Sequence, residues 1–432
     1  MKARKVKMAK KSKDKGIRRN GSSDGSATME IMTMADGSLG NIMREAEAMS
    51  EELIELRREF HMHPELSLQE THTAKTIADY LRRVDGIEVQ EGIAGTGVLG
   101  LMRGGGGDGK TIMVRADIDG LPLVEANDVP YRSVNQGVMH ACGHDTHITV
   151  ALATAKLLSQ HRDELRGSVK FCFQPAEERS GGAAPMIKAG VMDNPKVDRV
   201  IGFHVWGDLP VGQVGIRPGP VMAGVEEFVI TVKGRGGHGA HPDQTVDPIV
   251  TAAHIVTALQ SIVSRNVDPV DTAIVTVGKI EAGTAFNIIP DECKLTGTLR
   301  FFSEDVHKLI IKRVKEVAKG VAKAMGADAD VHLTNEISMI PVDNDPEVTD
   351  WMKSIAAQTI GAERVVYPNQ TLGGDDMALF LKEAPGCYLF VGGKNAKRGF
   401  DAPRHNAHFN VDEGCLPIGL ALMAGGVLDY LR

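Results

Sequence analysis

The chain has 432 residues, of which 42% are hydrophobic and 24% charged, and its formal net charge is -7. These values are typical of a globular protein of two or three domains, and the negative charge argues against a body that binds nucleic acid. No stretch approaches eighteen apolar residues and no secretory signal pattern occurs, so neither membrane spanning nor secretion is predicted. The five cysteines are odd in number and widely spaced, which predicts free thiols in a reducing cytoplasm.

Residues 1–40 are basic and lack an apolar period, so we predict a disordered basic tail. Beyond it, the spacing of apolar residues predicts alternating helices and strands. The predicted helices cover residues 51–62, 73–84 and 148–158, and the predicted strands cover residues 111–115, 169–173 and 199–203. This alternation predicts a largely parallel sheet. The glycine run at residues 104–107 is interpreted as a flexible hairpin tip.

Polar side chains follow three of these strands. Asp117 and Asp119 follow the first, Glu177 and Glu178 the second, and His204 the third. Ligands of parallel sheets collect beyond the carboxyl ends of the strands. We therefore expect these groups to meet at one edge of the sheet.

The order of elements changes between about residues 225 and 333. Predicted strands cover residues 228–232, 272–280, 293–301 and 330–333, and predicted helices cover residues 248–263 and 305–325. Their order is β-α-β-β-α-β, which is that of a ferredoxin-like unit. Further elements at 348–360, 386–391 and 416–431 complete the first domain. We thus predict a catalytic metal-binding domain over residues 41–222 and 338–432, with an inserted domain over residues 223–337.

A cluster of metal-ligating residue types lies in the loop before the predicted helix at residue 148. Cys142 and His144 are one residue apart, and His140, Asp145 and His147 are beside them. Thiolate, imidazole and carboxylate together are the donors that zinc-like ions bind. Taken alone, each group also has an ordinary interpretation as a solvated loop residue or a hydrogen-bonded core histidine.

Two further segments carry the same ambiguity. The adjacent Glu177 and Glu178 suit a site in which one carboxylate binds metal while the other handles a proton, although a solvated acidic turn is also common. Near the C-terminus, His405 and His408 cannot be separated by spacing alone.

Other catalytic motifs are absent or incomplete in the sequence. Residues 234–239 satisfy G-x-G-x-x-G, but Pro242 follows instead of an immediate helix, so we reject a dinucleotide site. Neither a Walker A sequence nor a Gly-x-Ser-x-Gly elbow occurs. A nucleophilic Cys142 with His140 or His144 as its base is the second interpretation.

Six motifs make the chain resemble the M20 metallopeptidase family, specifically the branch of hippurate hydrolases, N-acyl-amino-acid amidohydrolases and plant auxin-conjugate hydrolases. The resemblance runs from about residue 54 to residue 431. The motifs are Arg58-Glu-Phe-His-Met-His-Pro-Glu-Leu66, Arg115-Ala-Asp-Ile-Asp-Gly-Leu-Pro122, His140-Ala-Cys-Gly-His-Asp145, Gln174-Pro-Ala-Glu-Glu178, Gly237-His-Gly-Ala-His-Pro242 and Phe286-Asn-Ile-Ile-Pro290. The expected fold class is α/β: a mostly parallel-sheet, di-metal catalytic domain with an inserted ferredoxin-like (α+β) lid and dimerisation domain.

The resemblance implies two divalent ions per subunit, with zinc or manganese expected ahead of cobalt or nickel. The implied ligands are Cys142, His144, Glu178, His204 and His405. Glu177 is implied as the general base.

In the lid, the resemblance implies that His238, Asn287 and Arg300 approach the substrate carboxylate or the reacting carbonyl. His238 is our candidate for the donor to the oxyanion, and it could come from a partner subunit. Arg300 offers a fork for a carboxylate. The lid is also the implied surface of a homodimer or higher homo-oligomer; neither nucleic acid nor membrane is expected as a partner.

The predicted activity is hydrolysis of N-acyl-amino acids to a carboxylic acid and a free amino acid. The alternatives are a metallo-carboxypeptidase or dipeptidase of the same family, a cysteine hydrolase built on Cys142, and a metal-stabilised binding protein without catalysis.

Two departures from the branch pattern concern metal affinity and pocket shape. Gly374-Asp375 stands where Ser-Glu is common, and Ala407 where Pro is usual.

Overall fold

The computed structural model describes residues 38–432. The predicted tail therefore lies outside the described residues, except for residues 38–40, which are helical. The helices are α1 (Ser38–Ala48), α2 (Ser50–Met62), α3 (Thr71–Leu81), α4 (His144–Gln160), α5 (Ala183–Lys188), α6 (Pro248–Asn266), α7 (Glu304–Ala324), α8 (Pro346–Ile360), α9 (Met377–Glu383) and α10 (Cys415–Leu431). No helix among these is long and apolar enough to cross a membrane.

Sixteen strands are described in the same part of the chain. The first eight are β1 (Ile87–Ile93), β2 (Gly97–Arg103), β3 (Lys110–Asp117), β4 (Gly167–Gln174), β5 (Arg199–Pro210), β6 (Val214–Gly215), β7 (Gly219–Met222) and β8 (Gly224–Lys233). The others are β9 (Gly237–His238), β10 (Ala273–Ala282), β11 (Ile288–Ile289), β12 (Glu292–Phe301), β13 (Asp328–Met339), β14 (Val342–Asn344), β15 (Val365–Val366) and β16 (Gly386–Lys394).

The largest sheet has eight strands in the order β1-β2-β4-β3-β5-β16-β6-β15. Its centre, β4-β3-β5-β16, is parallel, and antiparallel pairs flank it on both sides. The prediction of an α/β fold with a mostly parallel sheet is therefore confirmed. Because β3, β4 and β5 run in one direction, the residues at their carboxyl ends share one edge.

Helix α4 is buried along nearly its whole length, which suits its Ala-rich apolar sequence. It packs on β3 and β5 on one side and on α10 on the other. Its first residue is His144, so the buried helix holds the predicted ligand loop in place over the sheet. Gly143 precedes it with a φ of 93°, a left-handed conformation that glycine adopts without strain.

A second sheet is antiparallel and has the order β10-β12-β8-β13. Helices α6 and α7 pack on it, and together they form a separate apolar core around Phe228, Ile255, Leu295 and Ile310. We call these four strands and two helices the four-stranded unit. Their order in the chain confirms the predicted β-α-β-β-α-β arrangement. The predicted domain boundaries and the role of this unit in dimerisation stay predictions.

Two local predictions were wrong. The glycine run at residues 104–107 is not a hairpin tip, because β2 and β3 lie on opposite sides of β4. Its backbone instead packs against the segment before β4: a Cβ on Gly104 would lie 2.1 Å from the carbonyl oxygen of Leu165. Helix α3 ends at Leu81, short of the predicted residue 84. Beyond these two cases, β5 runs on to Pro210, so His204 lies within the strand rather than after it.

Candidate metal centre

The structure brings all five predicted metal ligands and the predicted base together at the carboxyl edge of the parallel strands. Their donor atoms form three overlapping groups, each with its atoms within 4.8 Å of one another. The groups are Cys142 with His144 and His204, Cys142 with Glu178 and His405, and His144 with Glu177 and Glu178. Segments separated by up to about 260 residues therefore converge on one cluster.

Individual distances show how closely the donors face one another. The Sγ of Cys142 lies 3.4 Å from the Nε2 of His204. The two carboxylate oxygens of Glu178 lie 3.8 Å from the Nε2 of His144 and 3.6 Å from the Nε2 of His405. Glu178 therefore lies between the buried imidazole of His144 and that of His405, whose side chain is 56% exposed.

The environment fits divalent cations. The Nε2 of His144 and the Oε1 of Glu178 are buried without a hydrogen-bond partner, although an unsatisfied buried polar group costs about 1–3 kcal/mol. Burial, followed by the charge of Glu178, raises the pKa of the Cys142 thiol to about 11. Burial also raises the pKa of Glu178 to about 7, helped by Asp119. A bound cation would stabilise both the thiolate and the carboxylate at these positions.

The imidazole of His204 is in the neutral state that metal binding requires. Burial, then the neighbouring His147 and Arg404, lowers the pKa of His204 well below its ordinary value, so its ring is neutral. The Nδ1 of His204 donates to the carbonyl oxygen of Val205 at 2.6 Å, which leaves Nε2 free to face Cys142. Such outer hydrogen bonds orient metal-binding histidines.

Asp119 anchors both halves of the cluster. The Nδ1 of His144 lies 3.0 Å from its backbone oxygen and 3.3 Å from its carboxylate. The backbone N–H groups of Glu177 and Glu178 each donate to the same carboxylate at 3.2 Å, and the hydroxyl of Ser67 donates at 2.6 Å. In the sequence, Asp119 follows its strand, but no motif predicts this supporting role.

A second buried network stands behind the cluster. The guanidinium of Arg115 contacts the carboxylates of Asp117, Asp375 and Asp376 at 2.8, 3.1 and 3.0 Å. Asp117 in turn accepts from the Nδ1 of His147 at 2.5 Å, while the Nε2 of His147 accepts from the backbone of Val205. Burial alone would raise the pKa of Asp117, but His144, His147 and Arg115 together hold it well below its usual value.

Glu177 lies inside the cluster, buried beside Glu178. Burial, followed by the negative charges of Asp375 and Glu178, raises its pKa well above the ordinary value of a glutamate. A carboxyl group with a raised pKa holds a proton more readily near neutral pH, which is what a group that accepts and then returns a proton needs.

The structure also separates the two C-terminal histidines. His405 has a φ of 60°, and its backbone N–H donates to the carbonyl oxygen of Ala141, next to Cys142. This bond holds His405 against the cluster in a conformation that is uncommon for a residue other than glycine. His408 is exposed, and its backbone N–H donates to the side chain of Asn406.

The three predicted substrate contacts lie on or beside the four-stranded unit. His238 is exposed in β9, and its Nδ1 accepts from the backbone of Ala240. Asn287 is exposed beside it. Arg300 is engaged with Thr298, with the carbonyl oxygen of Leu299 at 3.0 Å and with that of Leu372 at 3.1 Å. Their approach to a substrate stays a prediction.

An α/β sheet with a thiol, imidazole and carboxylate cluster at its carboxyl edge defines a metallohydrolase of the di-metal class. Comparison with known proteins identifies the family. Residues 113–428 match the sequence profile of peptidase family M20/M25/M40. The chain belongs to this family.

Relatives of known name cover most of the chain. It is 41% identical to thermostable carboxypeptidase 2 of Saccharolobus solfataricus, over 85% of this chain and 92% of the relative. It is 38% identical to the N-acetylcysteine deacetylase of Bacillus subtilis, over 88% and 98%. It is also 38% identical to the IAA-amino acid hydrolase ILR1-like 4 of Arabidopsis thaliana, over 88% and 86%.

Among solved structures, the chain is similar to the YXEP protein of Bacillus subtilis, described as a dinuclear metal binding peptidase of the M20 family. The TM-score is 0.77 at 35% identity, with 89% of this chain and 99% of that chain covered. The chain is therefore a hydrolase of amide bonds whose donor cluster fits two divalent metal ions.

Proposed function

We propose that the protein hydrolyses N-acyl-amino acids to a carboxylic acid and a free amino acid. The observation that carries this proposal is the buried Glu177, which lies beside Glu178 within a cluster of metal-ligating donors. The names of two relatives, an N-acetylcysteine deacetylase and an IAA-amino acid hydrolase, support the substrate class.

Cys142, His144, Glu178, His204 and His405 would hold the ions, expected to be zinc or manganese. When bound, such ions polarise a scissile carbonyl and lower the pKa of water. Glu177 accepts the proton of the attacking water and donates it to the departing nitrogen. Proton transfer by a positioned group contributes about 10²–10⁴-fold to the rate. His238 is the proposed donor to the oxyanion, and Asn287 and Arg300 are proposed to hold the substrate.

The test is the substitution Glu177→Gln. It keeps the shape of the side chain but removes the proton acceptor, so we expect hydrolysis of hippurate or N-acetylcysteine to fall by about 10²-fold or more. The metal content, measured by mass spectrometry, should stay that of the wild type. The exposed Glu383→Gln serves as the matched control. Wild-type turnover by the Glu177→Gln variant would refute the assigned base.

A carboxypeptidase is the second candidate, because thermostable carboxypeptidases 1 and 2 of Saccharolobus solfataricus are among the similar proteins. Turnover of an N-blocked dipeptide with a free carboxyl terminus, compared with that of N-acetylcysteine, separates the two activities. A cysteine hydrolase is disfavoured because the pKa of Cys142 is raised, whereas nucleophilic cysteines have lowered values. Activity that survives a chelator but not a thiol-alkylating reagent would favour it.

We also propose that the four-stranded unit carries a homodimer interface. Several of its larger apolar side chains are exposed, and Phe286 is entirely so. Ile249 of α6, Ile280 of β10 and Ile288 of the adjoining β11 are also exposed. Large exposed apolar side chains are a feature of protein interaction sites.

A further inference from the structure

We propose that Glu59, His63 and His72 form an additional site for a zinc-like divalent ion on the surface, separate from the cluster at the sheet edge. The donor atoms of these three side chains lie within 4.8 Å of one another. The Nδ1 of His63 is 3.2 Å from the carboxylate of Glu59, and the ring of His72 is 5.2 Å from that of His63. The proposal is independent of the hydrolytic function.

The positions of the three residues in the chain explain why they meet. Glu59 is in the last turn of α2, and His63 follows it by four residues, so the two side chains share one face. His72 is the second residue of α3, which returns toward the end of α2. An eight-residue connection between the helices brings the second imidazole beside the first.

This connection is held in one conformation by Glu65. Its carboxylate accepts from the hydroxyl of Thr71 at 3.2 Å and from the backbone N–H groups of His72 and Thr73 at 3.1 and 2.8 Å. Leu66 also forms a bridge with Gly120 of the body of the protein. Since the backbone of both histidines is fixed, closing the site around an ion requires only side-chain rotation, which lowers the entropy cost of binding.

The donor set indicates which ion fits. Two imidazoles and one carboxylate match the three protein ligands of an open tetrahedral zinc site, with a water in the fourth position. At metal-ligand distances of about 2.0–2.2 Å, tetrahedral donors are about 3.3–3.6 Å apart. The Nδ1 of His63 lies 2.9 Å from the backbone oxygen of Glu59, so the Nε2 of His63 is the ring nitrogen left to bind an ion, and the side chains of Glu59 and His72 have to close around it. Hard ions such as magnesium prefer oxygen donors and are not expected.

A bound ion would cross-link the ends of α2 and α3. The connection between them carries Ser67, whose hydroxyl donates to Asp119 at 2.6 Å. Asp119 is the anchor of His144, Glu177 and Glu178. We therefore expect an ion at Glu59, His63 and His72 to stabilise the segment that supports the metal centre, which should raise the melting temperature.

The experiment compares wild type with the double variant His63→Ala/His72→Ala and with His254→Ala, an exposed histidine of α6, as the control. Full-length protein is dialysed against micromolar Zn²⁺, and bound zinc is counted by mass spectrometry. We expect the wild type and the control to hold one ion more per chain than the double variant. Zn²⁺ should also raise the melting temperature of the wild type and the control by several degrees more than that of the double variant.

Equal ion counts in the wild type and the double variant would overturn the proposal, as would extra binding that appears only at millimolar Zn²⁺. Hydrolysis does not enter these readouts, so the result is independent of the proposed activity. We expect the double variant to keep the wild-type rate at micromolar Zn²⁺, because neither histidine belongs to the metal centre.

Discussion

A single buried carboxylate, Asp119, connects the loop that carries Glu177 and Glu178 with the imidazole of His144. Two of its bonds come from backbone N–H groups, so they fix the path of the chain rather than one rotamer. Hydrogen bonds to an ionised acceptor are about twice as strong as neutral ones. The spacing between His144, a proposed ligand, and Glu177, the proposed base, thus depends on a residue with neither role.

We predict that Asp119→Asn lowers both metal affinity and turnover. The amide nitrogen of Asn would face one of the donors that Asp119 now accepts from, so at least one of those contacts is lost. Loss of a residue that supports metal ligands typically costs about 10–100-fold in affinity or activity. Ser67→Ala, which removes one donor to the same carboxylate, is the milder control and should keep the bound metal. Wild-type metal content and kcat in Asp119→Asn would contradict the assignment.

The ligand types at this site could be predicted from the sequence because Cys142, His144, Glu177 and Glu178 occur in compact motifs. The residues that hold these side chains in place could not be predicted in this way. Arg115 contacts Asp375 and Asp376, which are more than 250 positions away in the sequence, and no local pattern predicts these ion pairs. Spacing alone likewise did not choose between His405 and His408; the resemblance implied His405, and in the folded chain the backbone N–H of His405 donates to the carbonyl oxygen of Ala141.

At the scale of elements, residues 373–376 lie between the metal centre and the four-stranded unit. The backbone N–H of Ala223 donates to the carbonyl oxygen of Gly373 at 2.9 Å. A Cβ on Gly374 would lie 2.6 Å from the Cγ2 of Val225 and 2.9 Å from the Sδ of Met339. Val225 and Met339 are at the ends of β8 and β13, where the unit joins the rest of the chain. This close packing explains glycine at a position where serine is common in the resembled branch.

We predict that Gly374→Ala is more harmful than Gly373→Ala. At Gly374 the added methyl group would push the segment away from β8 and β13, and with it Asp375, which contacts Arg115. Overpacking of this kind costs about 1–3 kcal/mol. A Cβ on Gly373 meets its nearest neighbours at 3.7 Å, an ordinary contact, so that variant is the matched control. Urea denaturation and steady-state kinetics measure both; equal effects would count against this role of Gly374.

The type of each element, helix or strand, could be predicted from the sequence better than which strands pair in the sheet. The order of strands and helices in the four-stranded unit could be predicted because apolar residues repeat with a period of about 2 in its strands and about 3.6 in its helices. Strand β2 was not predicted, and its pairing with β4 rather than β3 leaves no local signal, because pairing partners are chosen by the whole sheet. The glycine run at residues 104–107 was misinterpreted because a glycine-rich composition is typical both of close backbone packing and of flexible loops.

For the whole molecule, the metal centre is a concentration of buried charge. Without ions, Glu178 has a pKa raised from 4.5 to about 7 by burial. The folded chain therefore binds this proton more tightly than the unfolded chain does. Between pH 4.5 and about 7, the contribution of Glu178 to the free energy of unfolding of the metal-free protein therefore falls as pH rises.

We predict from this that bound metal stabilises the protein more at pH 7.5 than at pH 5. Near pH 5 Glu178 is largely protonated in the metal-free protein, and the penalty for its buried charge is small. At pH 7.5 it is largely ionised, and the ions remove a penalty on the order of 2 kcal/mol. Calorimetry with and without chelator at both values measures the difference. Glu178→Gln should reduce the pH dependence of the metal-free protein; a metal effect that is constant with pH would contradict the prediction.

The place of β16 in the large sheet has a consequence for biosynthesis. This strand lies between β5 and β6, although both come about 175 residues earlier in the chain. While a ribosome is still translating the later segments, the edge of β5 is unpaired, and an unpaired strand edge promotes aggregation. His405 emerges later still. The nascent chain therefore exposes this edge until translation is nearly finished, and the last proposed metal ligand is added only then.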